Sequence, residues 1–286
     1  MIYGIVGTGL MGGGLARCLA GKGHSVLVYN RTKKRAEDLC RSIGCRVVDT
    51  PADLSEADVV IVFVFDDRAV EDVFLGRHGL SELGRSIPVV NASTITPATS
   101  IRVAGAMEEK GIPYYEGPVY GSVDEAIECR LLTLLAGRSP ETVKGFVEEY
   151  STSIIYVGEV PKAMALKLAL NNIGLSLPPI IGESLAILEA YGVGLDVFRE
   201  AVGKLWFGGP VNRYLNRILD GGRTRFTVRG AAKDYHLISS TLYGAGYPAI
   251  VSSSLMNFYL AATRRYGGED YPKAAKWILK EERTRE

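Results

Sequence analysis

Glutamine is absent from the 286 residues, asparagine is sparse, and histidine occurs three times, as His24, His78 and His236. Scarcity of heat-labile amides is a tendency of heat-adapted proteins and points to such a source. No histidine pairs visibly with a carboxylate at a useful spacing, so all three read as structural or exposed, and a histidine acid/base is not expected. The four cysteines, Cys18, Cys40, Cys45 and Cys129, form no C-x-x-C pair and have no histidines at zinc spacing. No metal site is expected, and Cys18 reads as a core thiol. The formal net charge is only +1, so no general field gathers nucleic acid or an anionic membrane. No apolar run approaches the roughly 18 uninterrupted residues of a membrane helix. The apolar start is too short for a signal peptide and lacks a basic leader. The expectation is a cytoplasmic protein with no nucleic-acid or membrane partner. Internal repeats and low-complexity segments are missing too.

What is present is a globular composition, 47% hydrophobic and 23% charged, with length for one large domain or two ordinary ones. Residues 1–32 are the most informative stretch. An apolar run (Ile2, Tyr3, Ile5, Val6) leads into Gly7, Gly9 and Gly12, then a helix-like segment and a second apolar run at residues 26–29. The order is strand, G-x-G-x-x-G turn, helix, strand. Gly7 permits the tight turn, Gly9 lets a pyrophosphate approach the backbone, and Gly12 lets helix and strand pack closely. Thr8, Leu10 and Met11 complete the loop, whose free N–H groups at the helix start would hold phosphates. Gly13 and Gly14 carry the glycine run into the helix at about 1 kcal/mol each. Room for packing or for the cofactor is the reading for both.

Strand and helix signals then alternate through the first half. Residues 33–42 read as a helix, 45–48 as a short strand, and 59–65 as a continuous apolar strand buried on both faces. A helix over 66–74, a strand over 88–90, and a helix from Thr96-Pro97 towards Lys110 follow. Strands at 114–116, 131–136 and 154–157 complete the set. Beyond Gly158 the signals become helical. Apolar residues at Ala163, Leu166, Leu170 and Ile173 mark a helix that Pro178-Pro179 should break or kink. Further helices are expected at 196–204, 211–219, 230–243, 248–266 and 271–280. The fold class is therefore α/β: an N-terminal Rossmann doubly wound sheet over residues 1–160, followed by an all-α C-terminal domain over residues 161–286.

An acidic residue usually ends the second strand of an NAD-binding fold and takes the ribose hydroxyls. Here Asn30, Arg31 and Thr32 occupy that place. No carboxylate repels a 2′-phosphate, and Arg31 offers it a planar fork, so NADP is expected over NAD.

Lys167 and Asn171 are four apart and share a helix face within an apolar stripe of Met164, Leu168 and Leu170. Periodicity alone reads the lysine as a surface residue. Desolvation would bring such a lysine towards the working range of a proton donor or acceptor. Trp206-Phe207 reads either as a pocket wall or as an aromatic core cluster.

Five separated motifs resemble those of the β-hydroxyacid dehydrogenase family. They are Gly7-Thr8-Gly9-Leu10-Met11-Gly12, Asn30-Arg31-Thr32, Asn91-Ala92-Ser93-Thr94-Ile95-Thr96-Pro97, Gly117-Pro118-Val119-Tyr120-Gly121-Ser122 and Lys167-Leu168-Ala169-Leu170-Asn171-Asn172. Lys233-Asp234 resembles a further K-D pair of that family. The resemblance implies that Lys167 is the catalytic acid/base and Asn171 its helper. It places Val64, Phe65, Thr94 and Lys233 at the cofactor. It places Ser93, Tyr120, Gly121, Ser122, Lys167, Asn171 and Lys233 at the substrate. It implies hydride transfer between NADP and a small β-hydroxy acid (3-hydroxyisobutyrate, serine or 3-hydroxypropionate) or the matching aldehyde, in a homodimer or homotetramer. The alternatives are a glyoxylate/succinic semialdehyde reductase, an imine reductase, against which Lys167 argues, and a non-catalytic NADP-binding sensor. Two departures stand out: Tyr120 replaces a serine of the family's P-V-S-G-G loop, and Asn91 replaces the aspartate of its D-x-S-T segment.

Overall fold

The computed structural model describes residues 1–219 and 222–280, and the chain divides into two compact units, Met1–Leu168 and Ala169–Glu286. The first unit opens with β1 (Ile2–Val6), α1 (Leu10–Gly21), β2 (Ser25–Tyr29), α2 (Lys33–Ile43) and β3 (Arg46–Val47). It continues through β4 (Val59–Val62), α3 (Asp67–Leu75), β5 (Val89–Asn91), α4 (Pro97–Glu109) and β6 (Tyr114–Glu116). It ends with β7 (Val119–Tyr120), α5 (Val123–Ile127), β8 (Leu131–Ala136), α6 (Glu141–Glu148) and β9 (Ser151–Gly158). The sheet order is β3-β2-β1-β4-β5-β6-β8-β7, with β9 on β8.

β1 to β6 are parallel, in the doubly wound order 3-2-1-4-5-6, and β8 adds antiparallel to β6 and β7. Alternation explains the apolar strands. Ile5, Val28, Val59 and Ile61 join one core, while Val6, Leu27, Val60 and Val62 join the core on the other face. The order in which strands are added reverses between β1 and β4, and the glycine turn and residues 63–65 follow those two parallel strands. The apolar run at 59–65 therefore stops being strand at Val62, where the chain leaves the sheet.

α7 (Lys162–Tyr191) begins in the first unit and carries the chain into the second. There α8 (Leu195–Gly203), α9 (Gly208–Leu219), α10 (Val228–Gly244), α11 (Ile250–Tyr266) and a 3₁₀ segment (Tyr271–Ile278) follow.

Two expectations are corrected. The break at Pro178-Pro179 does not occur: α7 is one helix of 30 residues. Proline removes the N–H that would bond four residues back, so the carbonyls of Gly174 and Leu175 lose their helical donors. The Tyr214 hydroxyl of α9 donates to Gly174 O at 3.2 Å, and the Tyr259 hydroxyl of α11 donates to Leu175 O at 2.7 Å. The helix survives its prolines because two tyrosines replace the missing donors. The thiol reading is also overturned. Cys18 pairs with Cys129, and Cys40 with Cys45, as disulfides. The first links α1 to the residues just after α5, 111 positions on, beyond the reach of any local pattern.

By length and mean hydropathy alone α7 could cross a membrane, and 33% of its most apolar window is buried. The tyrosine donors from α9 and α11 give it the surroundings of a helix packed among others.

Candidate active site

The chain leaves β1 through Gly7, whose φ is +94° and whose Cβ would lie 2.0 Å from Phe63 O. Only glycine accepts both the dihedral and the space. A Cβ on Gly12 would stand equally close, 2.0 Å from Gly7 O. Gly9, the N-cap of α1, has nothing within 4 Å of the same position. Two glycines thus close the turn and the third leaves room beside an exposed helix start, a cradle that a pyrophosphate fits. Gly14 is explained by packing, its Cβ position being 3.0 Å from Ala126 of α5. Nothing in the structure requires Gly13 to be glycine.

Asn30 fastens this loop to the end of β2. Thr8 N–H donates to Asn30 Oδ1 at 3.0 Å, and Asn30 Nδ2 donates to Thr32 O at 2.9 Å. Arg31 and Thr32 are exposed there, as are Leu10 and Phe65, while Met11, Val64 and Thr94 are half-buried. Val64 N–H donates to Ser93 Oγ at 3.0 Å, and Ser93 Oγ donates to Val62 O at 3.3 Å. Ser93, expected at the substrate, is buried and joins the ends of β4 and β5.

Lys167 is buried, contrary to the reading from periodicity alone. Its ammonium donates to Val119 O at 2.9 Å and stands 3.6 Å from the centroid of the Tyr120 ring. Cation–π attraction and a carbonyl together hold the charge against the loop named as the substrate loop. Ser122 is the N-cap of α5, and its N–H and hydroxyl both donate to Glu125 Oε2. Those donors hold the Glu125 carboxyl below the usual carboxylate range. A substrate carboxylate at Ser122 would compete with Glu125. Gly121 is exposed, with φ +140°.

In the second unit, Asn171 Nδ2 donates to Asp234 Oδ2 at 2.6 Å, and Lys233 Nζ lies 2.6 Å from Asp234 Oδ1. Asp234 is buried and gathers the two residues that sequence reading named. The K-D pair was its signal in the sequence. A second group that sequence reading missed is Glu116 at the end of β6. It is fully buried, and its Oε2 accepts the N–H groups of Ala163 and Met164 in the first turn of α7. No sequence pattern marks it.

Two of the three histidines stand beside carboxylates, His24 by Glu149 at 3.2 Å and His78 by Glu82 at 3.5 Å. The first partner is remote in sequence and the second sits four residues on. Trp206 is 93% exposed and meets Phe207 edge-on, so it is no core cluster. Among the described residues no group of three His, Cys, Asp or Glu side chains is placed to hold a metal ion.

Residues 2–158 match the model of the NAD-binding domain of 6-phosphogluconate dehydrogenase. The chain is 34% identical over 224 residues to the uncharacterized oxidoreductase YfjR of Bacillus subtilis, covering 77% of this chain and 78% of that one. It is 26% identical to the chloroplastic glyoxylate/succinic semialdehyde reductase 2 of Arabidopsis thaliana, over 93% of this chain and 76% of that one. Among solved structures, 3-hydroxyisobutyrate dehydrogenase of Mycobacterium tuberculosis with L-serine superposes with a TM-score of 0.82 at 21% identity. That match covers 97% of this chain and 98% of the other, and it speaks for the fold.

Proposed function

The chain belongs to the β-hydroxyacid dehydrogenase family of oxidoreductases, and from that premise we propose that it moves hydride between NADP and a small β-hydroxy acid or the matching aldehyde, with Lys167 as acid/base. The observation that carries the reading is the buried Lys167 ammonium, held by Val119 O and the face of Tyr120. A lysine removed from water and held at a fixed point of a loop is suited to exchanging a proton with a bound substrate. The cofactor supplies the hydride acceptor or donor.

The chain's own residues do the rest. The N–H groups at the start of α1 and the room beside Gly9 hold the pyrophosphate. Arg31, with Thr32 beside it and no carboxylate following β2, takes the 2′-phosphate. In reduction Lys167 gives its proton to the nascent alkoxide and offsets its charge; in oxidation it receives the hydroxyl proton. Asn171, fixed by Asp234, orients the substrate's oxygen. Tyr120, bulkier than the serine usual in the family, narrows the substrate's place and favours small acids and aldehydes.

Ile173, Ile180 and Ile187 form an exposed seven-residue ladder on α7, which supports a homo-oligomer built on that helix. Two disulfides and the lack of glutamine together support a heat-adapted source, in which an intracellular protein keeps disulfides.

The test is NADP+ and NAD+ reduction across L-serine, 3-hydroxyisobutyrate and 3-hydroxypropionate, with NADPH oxidation across glyoxylate and succinic semialdehyde. Turnover of at least one, faster with NADP(H), is expected. Silence across the panel removes the enzyme reading.

A further inference from the structure

Four side chains of the first unit to which the proposed reaction gives no role form one continuous hydrogen-bonded chain. Asn91 Nδ2 donates to the Tyr114 hydroxyl at 3.1 Å, which lies 3.0 Å from Ser100 Oγ. Ser100 Oγ donates to Glu116 Oε1. Glu116 Oε2 accepts from Ala163 N–H and Met164 N–H, at 2.9 and 3.2 Å. All four side chains are buried.

Each hydroxyl has a single proton, so the chain has a direction. Asn91 Oδ1 accepts Ser93 N–H at 3.1 Å, which leaves Nδ2 facing Tyr114. Tyr114 accepts there and gives its proton to Ser100, and Ser100 gives its proton to Glu116. The chain ends on a group receiving three donors, which is an ionised carboxylate. A neutral carboxyl would bring a fourth proton and break a link. An aspartate in place of Asn91 would turn every link round: Tyr114 would donate to the new carboxylate, Ser100 to Tyr114, and a protonated Glu116 to Ser100. The amide at Asn91 and the charge on Glu116 therefore belong together.

We propose that this directional chain makes Glu116 a positioning residue for Lys167. Glu116 grips N–H groups three and four residues before the lysine, at the positive end of α7. The same strand segment continues through Gly117 and Pro118 to Val119, whose carbonyl receives the Lys167 ammonium. One short stretch of chain, through the Glu116 carboxylate and the Val119 carbonyl, thus ties α7 at both ends of a single helical turn and sets where the ammonium stands. The assignment rests on Lys167 being the acid/base.

The groups facing Glu116 are Ser100 of α4, Tyr114 of β6 and the two amides of α7, and it has no ion-pair partner among the described residues. Burial pushes its carboxyl above the ordinary range, and the Ser100 hydroxyl and the two amides pull it back.

The test compares E116Q, N91D and the N91D/E116Q pair. A glutamine in place of Glu116 offers an oxygen to α7 and an N–H to Ser100, so it points the chain against Asn91. With N91D added, the reversed chain is complete again. The readout is NMR of the full-length protein carrying ¹³Cε-labelled lysine, in which the Lys167 signal, assigned with K167R, is moved upfield by the Tyr120 ring current. E116Q should lose that upfield shift and lower kcat about tenfold or more, the pair should regain both, and N91D, in which a protonated Glu116 completes the reversed chain, should resemble the pair. S100A, which removes one link and leaves both ends, should lose part of the shift if E116Q does not fold. An E116Q protein with the wild-type Lys167 signal, or a pair no better than E116Q, overturns the proposal. If no substrate in the panel is turned over but the pair regains the shift, the relay stands and the enzyme reading falls.

Discussion

The proposed preference for NADP rests on one exposed guanidinium, Arg31, at the end of β2. A charge-assisted contact to a 2′-phosphate contributes about 1.5–3 kcal/mol, its lower end applying at an exposed site. Arg31→Ala should therefore weaken NADPH binding about tenfold and leave NADH binding unchanged in fluorescence titration; equal NADPH affinity for both proteins would remove the assignment. Glu116 sets a pH dependence. Its folded carboxyl titrates above its unfolded value, mainly through burial. As pH rises, the unfolded chain loses its proton first, so stability falls through the interval between the two values and levels off above it. Ser100→Ala removes a bond that pulls the folded value down, which extends that fall to higher pH. Urea denaturation of both proteins against pH reads the difference, and parallel curves would contradict it. Gly7 was legible because its signal is a local spacing in the chain, whereas periodicity alone read the buried Lys167 as a surface residue and only the family resemblance singled it out. Glu116 was not legible, because its partners lie 16, 47 and 48 residues away.

At the scale of elements, α7 shows how tertiary contacts override a local rule. Pro178-Pro179 reads as a helix break, and from the chain alone that reading is sound. The tyrosines that annul it come from α9 and α11, 40 and 84 residues further on. Tyr259→Phe leaves the buried Leu175 carbonyl without a donor and should cost about 1–3 kcal/mol. Pro179→Ala returns the helical N–H to that carbonyl, so the same Tyr259→Phe change should cost less in its background. A denaturation double-mutant cycle reads the coupling, and strict additivity would show that the hydroxyl does not stand in for the lost donor. The strands β1, β2 and β4 were legible for the opposite reason. Residues buried on both faces leave an unbroken apolar run that no distant contact has to complete.

For the whole molecule, the first unit's order of strands puts the glycine turn and the ends of β4 and β5 on one side of a parallel sheet. The Cys18–Cys129 disulfide closes a loop of 111 residues across that unit, whereas Cys40–Cys45 closes one of five. Loop-closure entropy gives the long link about 4–5 kcal/mol and the short one less. Replacing Cys18 and Cys129 by serine should lower the thermal midpoint more than replacing Cys40 and Cys45, and calorimetry checks the order. Neither pairing could be read from spacing, since the first depends on α1 packing against α5.

The central claim is that Lys167 moves the proton that accompanies hydride transfer, and Lys167→Ala tests it most directly. Turnover of the best substrate in the panel should fall about 10²- to 10⁴-fold, while NADPH titration gives the wild-type affinity. Turnover within a few-fold of wild type, with NADPH still bound, would contradict the account.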